Sequence, residues 1–92
     1  MNLFGEYLRN RREQLGLPLR KVAAELDIDT SILSKIERNE RVATKEMLPT
    51  LAKTLEVQEK DIQIEFIQST ILSELGDLEF LTDGLKNVLK KI

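Results

Sequence analysis

Small polar side chains line the outer face of a short predicted helix, residues 30–38, and no other segment has such evident chemistry. This face has hydroxyl groups near its start and a primary amine further along. Hydroxyls donate and accept hydrogen bonds and an amine donates them, so such a face is able to bind the edges of bases. A helix with a small polar face also fits the major groove of DNA. The segment therefore indicates contact with DNA.

A preceding helix and a short hinge must position this face. Residues 19–26 predict a helix with adjacent alanines, and residues 27–29 predict the hinge. Asp29 is placed to cap the second helix, and Asn39 is able to adopt the left-handed conformation that ends it. The two helices are expected to meet through apolar side chains, which are Val22, Leu26, Leu33 and Ile36. This arrangement is a helix-turn-helix, which is typical of DNA-binding regulators.

Composition excludes several other classes of protein. The 92 residues contain no cysteine and no histidine, which excludes disulfides, thiol catalysis, Ser-His-Asp chemistry and zinc sites built on thiolate or imidazole. No apolar run has the length of a membrane span or a signal peptide. We expect one cytoplasmic domain that is not an enzyme and that has no cofactor, metal or small-molecule ligand.

The net charge of −2 is unevenly distributed along the chain. Residues 1–57 have ten Lys or Arg and nine Asp or Glu, whereas residues 58–92 have four and seven. The balance is therefore +1 in the first part and −3 in the second. Because the acidic excess lies in the tail, it does not argue against DNA contact by the first part.

Periodicity predicts helices on both sides of the motif. Residues 3–15 have a helical apolar repeat that ends at Gly16, where a left-handed residue is favoured. Thr44 is placed to cap a fourth helix over residues 44–55, but Pro49 lies inside this helix. A start nearer residues 46–47 would instead place this proline in the first turn. No segment alternates long enough for a sheet, so the expected fold is all-α.

The tail predicts two more helices and a surface for a partner. Residues 59–75 form a helix that is apolar on two arcs, as expected for a helix between two surfaces. Gly76 is expected to end it, and Asp77 to cap a last helix that runs to residue 92. We interpret these helices as a hairpin that pairs with its copy in a second subunit. The side chains assigned to this contact are Ile67, Ile71, Leu75, Leu78, Leu81, Leu85, Val88 and Ile92.

Residues 4–57 resemble the Xre/Cro-type helix-turn-helix family of phage repressors and bacterial regulators. The resemblance rests on an ordered set of motifs: Leu8-Arg9-Asn10-Arg11-Arg12, Leu15-Gly16-Leu17, residues 19–26, Leu33-Ser34-Lys35-Ile36-Glu37-Arg38 and Leu51-Ala52-Lys53-Thr54-Leu55-Glu56-Val57. It implies an all-α fold, a five-helix, lambda-repressor-like DNA-binding bundle extended by a C-terminal helical hairpin, with the helix-turn-helix domain over residues 1–57. Residues 58–92 would then be a helical dimerisation segment. In size and layout the chain also resembles restriction–modification controllers.

The resemblance implies roles for individual residues. Residues 30–38 would be the recognition helix, which would read bases through Thr30, Ser31, Ser34 and Lys35. Cations on either side would contact the DNA backbone, and these are Arg20, Lys21, Arg38, Arg41 and Lys45, with Lys45 able to reach the minor groove. Arg12 and Glu37 match positions that form a buried ion pair between the first helix and the recognition helix. Loss of one partner of such a pair costs about 3–5 kcal/mol.

Three residues depart from the family pattern. Leu19 stands where a polar capping residue is usual, and Asp27 and Asn39 each replace a glycine. These changes are expected to weaken non-specific DNA affinity without altering the fold.

Two functions remain open from the sequence. The first is a cytoplasmic homodimeric regulator, such as a bacterial or phage repressor, that binds a palindromic operator in double-stranded DNA. The alternative is an antitoxin-like module whose C-terminal helices bind a partner protein. A stable dimer of the pure protein favours the first hypothesis, because a dimer has already used the apolar tail.

Overall fold

The described residues form a helical bundle with one helix extending from it. A computed structural model describes residues 3–92; residues 1 and 2 of the predicted domain lie outside the described residues. Within residues 3–92 there are six α-helices and no strand, which confirms the all-α prediction. The helices are α1 (Phe4–Gln14), α2 (Leu19–Glu25), α3 (Thr30–Glu37), α4 (Leu48–Thr54), α5 (Glu59–Leu75) and α6 (Leu81–Lys91).

The apolar core is formed by side chains from all of the helices α1 to α5. It includes Ile62 of α5, which is fully buried, so the predicted division at residue 57 does not coincide with the edge of this core. The ring of Phe66 packs edge-to-face on Phe4 of α1, with centroids 5.3 Å apart. The buried apolar side chains are Phe4, Leu8, Val22, Ala23, Leu33, Ile36, Ala43, Leu48, Leu51, Ala52, Leu55 and Ile62.

Each of α1–α4 ends in the same hydrogen-bonded motif. The second residue after each helix has a positive φ: Gly16 (67°), Asp27 (55°), Asn39 (61°) and Glu56 (55°). At α3, for example, the Asn39 amide donates to Ile36 O and the Glu40 amide donates to Lys35 O. This is the Schellman motif, which pairs the last carbonyls of a helix. Sequence reasoning anticipated the conformation at Gly16 and Asn39 but not at Glu56.

The start of α4 follows the second of the two sequence interpretations. Lys45–Met47 form a single 3-10 turn, and α4 begins at Leu48 with Pro49 in its first turn. A proline is tolerated there because the first amides of a helix have no partner within it. Asp29 directly precedes α3, but its side chain makes no capping hydrogen bond. Thr44 precedes the 3-10 turn and also makes no such bond, and Met47 is the residue before α4, so the prediction that Thr44 caps α4 is wrong.

The tail departs from the predicted hairpin. Helix α5 spans residues 59–75 as expected, but α6 begins at Leu81, so the prediction that Asp77 caps it is wrong. Residues 77–80 form turns instead: the Leu78 amide donates to Leu75 O and the Leu81 amide donates to Leu78 O. These short-range bonds replace the regular ladder of an α-helix.

Helix α6 does not pack extensively on any other helix of residues 3–92. The radius of gyration is 14.3 Å, against about 12 Å for a compact chain of this length. A packed hairpin is therefore absent from the described part of this single chain. No helix within residues 3–92 has the length and apolarity needed to cross a membrane.

Candidate nucleic-acid interface

Helix α3 presents its polar face outward because its apolar face is held by α1 and α2. Leu33 and Ile36 are buried in the core, and Ile32 packs on it partly buried. On the other face Thr30, Ser31 and Lys35 are exposed, while Ser34 is half-buried. The four residues predicted to read bases thus share one helix, with Ser34 the least accessible of them.

A buried ion pair joins α1 to α3. Arg12 Nε lies 2.8 Å from Glu37 Oε2, and Arg12 Nη2 lies 3.0 Å from Glu37 Oε1. The third guanidinium nitrogen, Nη1, donates to Leu17 O at 2.9 Å. The hydrogen bond to Glu37 raises the pKa of Arg12, so the guanidinium group stays charged. Since such two-point contacts fix orientation, this pair holds the angle of α3 against α1.

The first turn of α1 meets the end of α3 and the middle of α5. The Phe4 amide donates to Ser69 Oγ at 2.9 Å, and the Gly5 amide donates to Asn39 Oδ1 at 3.0 Å. Sequence reasoning did not identify these contacts. One sequence signal could have indicated them. Leu3 precedes α1 and has no polar side-chain atom to cap the helix, so the first amides of α1 need acceptors from elsewhere.

Arg11 links α1 to the end of α4. Its Nε donates to Leu55 O at 2.8 Å and its Nη2 donates to Glu56 O at 3.2 Å. A cation beside the carbonyl end of a helix is favoured by the helix dipole. This role was also missed, although the position of Arg11 within an apolar repeat showed that it faces the core side of α1.

The cations predicted to contact the DNA backbone are all exposed: Arg20, Lys21, Arg38, Arg41 and Lys45. Arg20 and Lys21 lie in the first turn of α2. Arg38 is engaged by its neighbours, since its Nε donates to Ser34 O at 3.3 Å and its Nη1 lies 3.5 Å from Glu40 Oε2.

Lys45 and Arg41 each border a surface depression next to α5. Lys45 lies at a shallow groove formed with the start of α4 and with Ile67 of α5. Arg41 lies at a second depression, beside Asn39 and Thr70. These two cations thus share surface depressions with residues of α5.

The residues assigned to dimerisation are mostly exposed in the single chain. Val88 is 52% exposed and Ile92 is 91% exposed, and two further residues, Phe80 and Leu89, extend the surface. An apolar hollow of about 420 Å³ lies where α5 turns into α6. The residues of this surface are Ile67, Leu75, Leu78, Phe80, Val88, Leu89 and Ile92, with Ile71, Leu81 and Leu85 half-buried.

Comparison with known proteins identifies this architecture. Residues 8–62 match the helix-turn-helix family HTH_3, and the match spans more than half of the chain. The chain belongs to this helix-turn-helix family. The Xre/Cro-type resemblance and the lambda-repressor-like fold are therefore confirmed. As a helix-turn-helix protein of this type, it is a DNA-binding transcriptional regulator.

Two crystal structures of the clp gene regulator ClgR from Corynebacterium glutamicum are similar to this helix-turn-helix protein. One is 29% identical with a TM-score of 0.61, covering 72% of this chain and 86% of the other. The second is 26% identical with a TM-score of 0.62, covering 95% of this chain and 86% of the other. No curated protein sequence matches the chain.

Proposed function

We propose that two copies of this chain bind a palindromic operator, with α3 of each copy in the major groove of one half-site. The observation that carries the proposal is the exposed polar face of α3, on a helix whose angle is set by the buried Arg12–Glu37 pair. Two such helices related by a two-fold axis would fit half-sites about one helical turn apart. The proposal implies a cytoplasmic protein that acts on the nucleoid.

Lys35 is the strongest candidate for reading a base. Its ammonium group donates hydrogen bonds, and guanine presents two acceptors in the major groove, O6 and N7. Thr30 and Ser31 discriminate less well, because a hydroxyl both donates and accepts. We therefore expect a guanine in each half-site opposite Lys35, with weaker preferences beside it.

The flanking cations supply affinity that does not depend on sequence. Arg20 and Lys21 lie in the first turn of α2, and Arg38 follows the end of α3. Contacts of this kind release counterions from DNA, so binding should weaken as salt rises. Asp27 and Asp29 are exposed at the start of α3 and oppose this attraction.

Helix α6 is the proposed contact between the two copies. Its apolar stripe is only partly buried, and charge is segregated along residues 77–91: Asp77 and Glu79 in the preceding turns and Asp83 in the first turn of α6 come before Lys86, Lys90 and Lys91. In an antiparallel pair, the acidic start of each segment 77–91 lies beside the basic end of the other. A parallel pair would place like charges together. We therefore propose an antiparallel, isologous pairing of α6.

Selection of bound sequences from a random DNA pool tests the proposed function. We expect a palindromic consensus whose two halves are about one helical turn apart. The affinity for this consensus should fall with salt and should exceed the affinity for scrambled DNA at least about a thousandfold. Promoter DNA of clp genes is a useful additional probe, because the similar structures are of a clp gene regulator. Recovery of no consensus, or equal binding to scrambled DNA, would overturn the proposal.

Paired lysine variants separate base reading from general attraction. Lys35→Ala should cost about 1–3 kcal/mol on the operator and relax the preference at one position of each half-site. Lys53→Ala, an exposed lysine on α4, is the control and should bind the operator as the native protein does. Arg20→Ala should weaken binding to all sequences and reduce the salt slope by about one. A Lys35→Ala protein with the native consensus would refute the role given to Lys35.

The exposed apolar face of α6 also favours one alternative, an antitoxin-like module that binds a partner protein. Light scattering on the pure protein separates the two hypotheses. A dimer supports pairing of α6 between copies, and a stable monomer supports a surface that awaits a different protein. A monomer that binds the operator only as single half-sites would overturn the homodimeric regulator.

A further inference from the structure

The amino terminus of α1 is capped by two distant elements and not by the residue before it. Leu3 occupies the capping position and makes no side-chain hydrogen bond. The first amide, of Phe4, donates to Ser69 Oγ of α5, and the second, of Gly5, donates to Asn39 Oδ1 after α3. The first amides of any helix lack partners within it, so these two bonds complete the start of α1.

Gly5 brings the backbone of α1 against the carbonyl end of α3. A Cβ atom at this position would overlap Ile36 O, and it would lie 2.7 Å from both Glu37 O and Asn39 Oδ1. The positive end of the α1 dipole thus faces the negative end of the α3 dipole, which favours the contact. The end of the recognition helix is therefore seated directly on the first turn of α1.

The hydrogen bonds Phe4–Ser69 and Gly5–Asn39 together form a joint at the start of α1. Asparagine at position 39 suits this joint as well as the left-handed turn. Asn39 and Glu56 occupy equivalent positions after α3 and α4, with φ of 61° and 55°. Glycine suits this conformation best. At position 39, however, glycine would lose the oxygen that accepts from the Gly5 amide. Asparagine tolerates the left-handed conformation and also supplies this acceptor.

We propose that Asn39 and Ser69 are positioning residues, which hold the recognition helix at a set distance and angle from α5. Because α5 leads into the segment proposed to pair the two copies, this joint sets the separation of the two recognition helices on DNA. The inference rests on the proposed homodimer. It adds a specific role for two residues that do not need to touch a base.

The test compares the selected operator with two DNAs that have one base pair added or removed between the half-sites. Each change shifts the second half-site by about 3.4 Å along the helix axis and rotates it by about 35°. The native protein should lose at least about tenfold in affinity on each altered DNA. In Ser69→Ala and Asn39→Gly this discrimination should fall at least about threefold, because one hydrogen bond of the joint is lost.

Matched variants separate positioning from stability. Ser69→Thr retains the hydroxyl and should retain native discrimination. Ser73→Ala changes an exposed serine on the same helix, whose hydroxyl donates to Thr70 O and takes no part in the two bonds of the joint. All proteins are compared below their unfolding temperatures, since a residue that only stabilises the fold would not change the ratio between DNAs. Native ratios in both Ser69→Ala and Asn39→Gly overturn the positioning role and leave the homodimer intact. Equal binding of the native protein to all three DNAs overturns the spaced dimer itself.

Discussion

The Arg12–Glu37 pair shows how one contact combines charge with orientation. The two side chains are only 14% and 5% exposed, and they meet through two hydrogen bonds. Removing both charges from water is unfavourable, so a pair like this contributes more to a defined geometry than to net stability. In this protein the geometry that it defines is the angle of the recognition helix.

Loss of one partner should be far more costly than loss of both. Glu37→Leu should lower the free energy of unfolding by about 3–5 kcal/mol, because it leaves the Arg12 guanidinium buried without its carboxylate. The double variant Arg12→Met/Glu37→Leu should recover much of this loss. Urea unfolding measures each value. Arg9→Met, in the exposed Arg9–Glu13 pair, is the control and should cost less than about 1 kcal/mol. A double variant as unstable as the sum of its single variants would contradict this account.

Glu40 pairs with Arg38, one of the cations proposed to contact the DNA backbone, and would compete with DNA for its guanidinium group. Its carboxylate lies 3.5 Å from Arg38 Nη1, on the segment that follows the recognition helix. Glu40→Gln removes this partner and one negative charge, so it should strengthen DNA binding by about threefold at low salt. The gain should shrink as salt rises, which fluorescence anisotropy would measure. Glu13→Gln removes the acid of the other exposed pair, on α1, and an equal gain in that variant would remove any specific role for Glu40.

The ends of the helices depend on one backbone motif used four times. Gly16 suits its left-handed position, but Asp27, Asn39 and Glu56 have a Cβ atom that disfavours this conformation. Asn39 is compensated by its bond to Gly5, whereas the side chain of Glu56 makes no hydrogen bond to any residue in the range 3–92. Residual strain is therefore expected at Glu56.

Glu56→Gly should raise the free energy of unfolding by about 1 kcal/mol, because glycine adopts a positive φ without steric cost. The bond from Arg11 is retained, since its acceptor is the backbone oxygen of residue 56. Lys53→Gly, which lies within α4, is the matched control and should lower stability by about 1 kcal/mol. Urea unfolding measures whether the free energy of unfolding rises in Glu56→Gly and falls in Lys53→Gly. A Glu56→Gly protein less stable than the native one would contradict the strain expected at Glu56.

Helix α6 extends from the bundle and leaves apolar side chains exposed to solvent. The described residues extend over 41 × 24 × 22 Å. Within residues 3–92 the apolar stripe of α6 is only partly covered, since Leu81 and Leu85 are half-buried whereas Val88 and Ile92 are exposed. An amphipathic helix that is separate from its bundle gains stability when its apolar face is buried by another helix. A second copy supplies such a helix by symmetry.

Leu85→Asp should convert the proposed dimer to a monomer, because it introduces a charge into the apolar stripe. Asn87→Asp introduces the same charge on the opposite, exposed face of α6 and should leave the dimer intact. Light scattering reports the mass of each protein. The monomer should bind the full operator at least about a hundredfold more weakly and a single half-site unchanged, since linkage of two contacts is lost. If both variants have the same mass and the same affinity, α6 is not the contact between copies.

Periodicity along the chain was sufficient to predict all six helices, the helix-turn-helix and the residues that face outward from α3, although the last helix was predicted to begin directly after Asp77 and begins at Leu81. Apolar spacing specifies which side of a helix is buried, and it is a local property of the chain. The Arg12–Glu37 contact was also accessible, through the resemblance of the chain to a family. The start of α6 could not be predicted in this way. Gly76 and Asp77 are locally suited to end one helix and cap the next, but the backbone continues through turns until α6 begins at Leu81.

The joint at the start of α1 depended on the packed structure. Phe4 and Gly5 are far along the chain from their partners Ser69 and Asn39, and no local pattern relates these polar atoms. They meet because burial of the core brings α1, α3 and α5 together, and the unpaired amides of α1 then require acceptors from whichever elements are nearest. Local spacing therefore specified the helices and their inward faces, whereas the pairing of distant backbone groups followed from the way in which those faces pack.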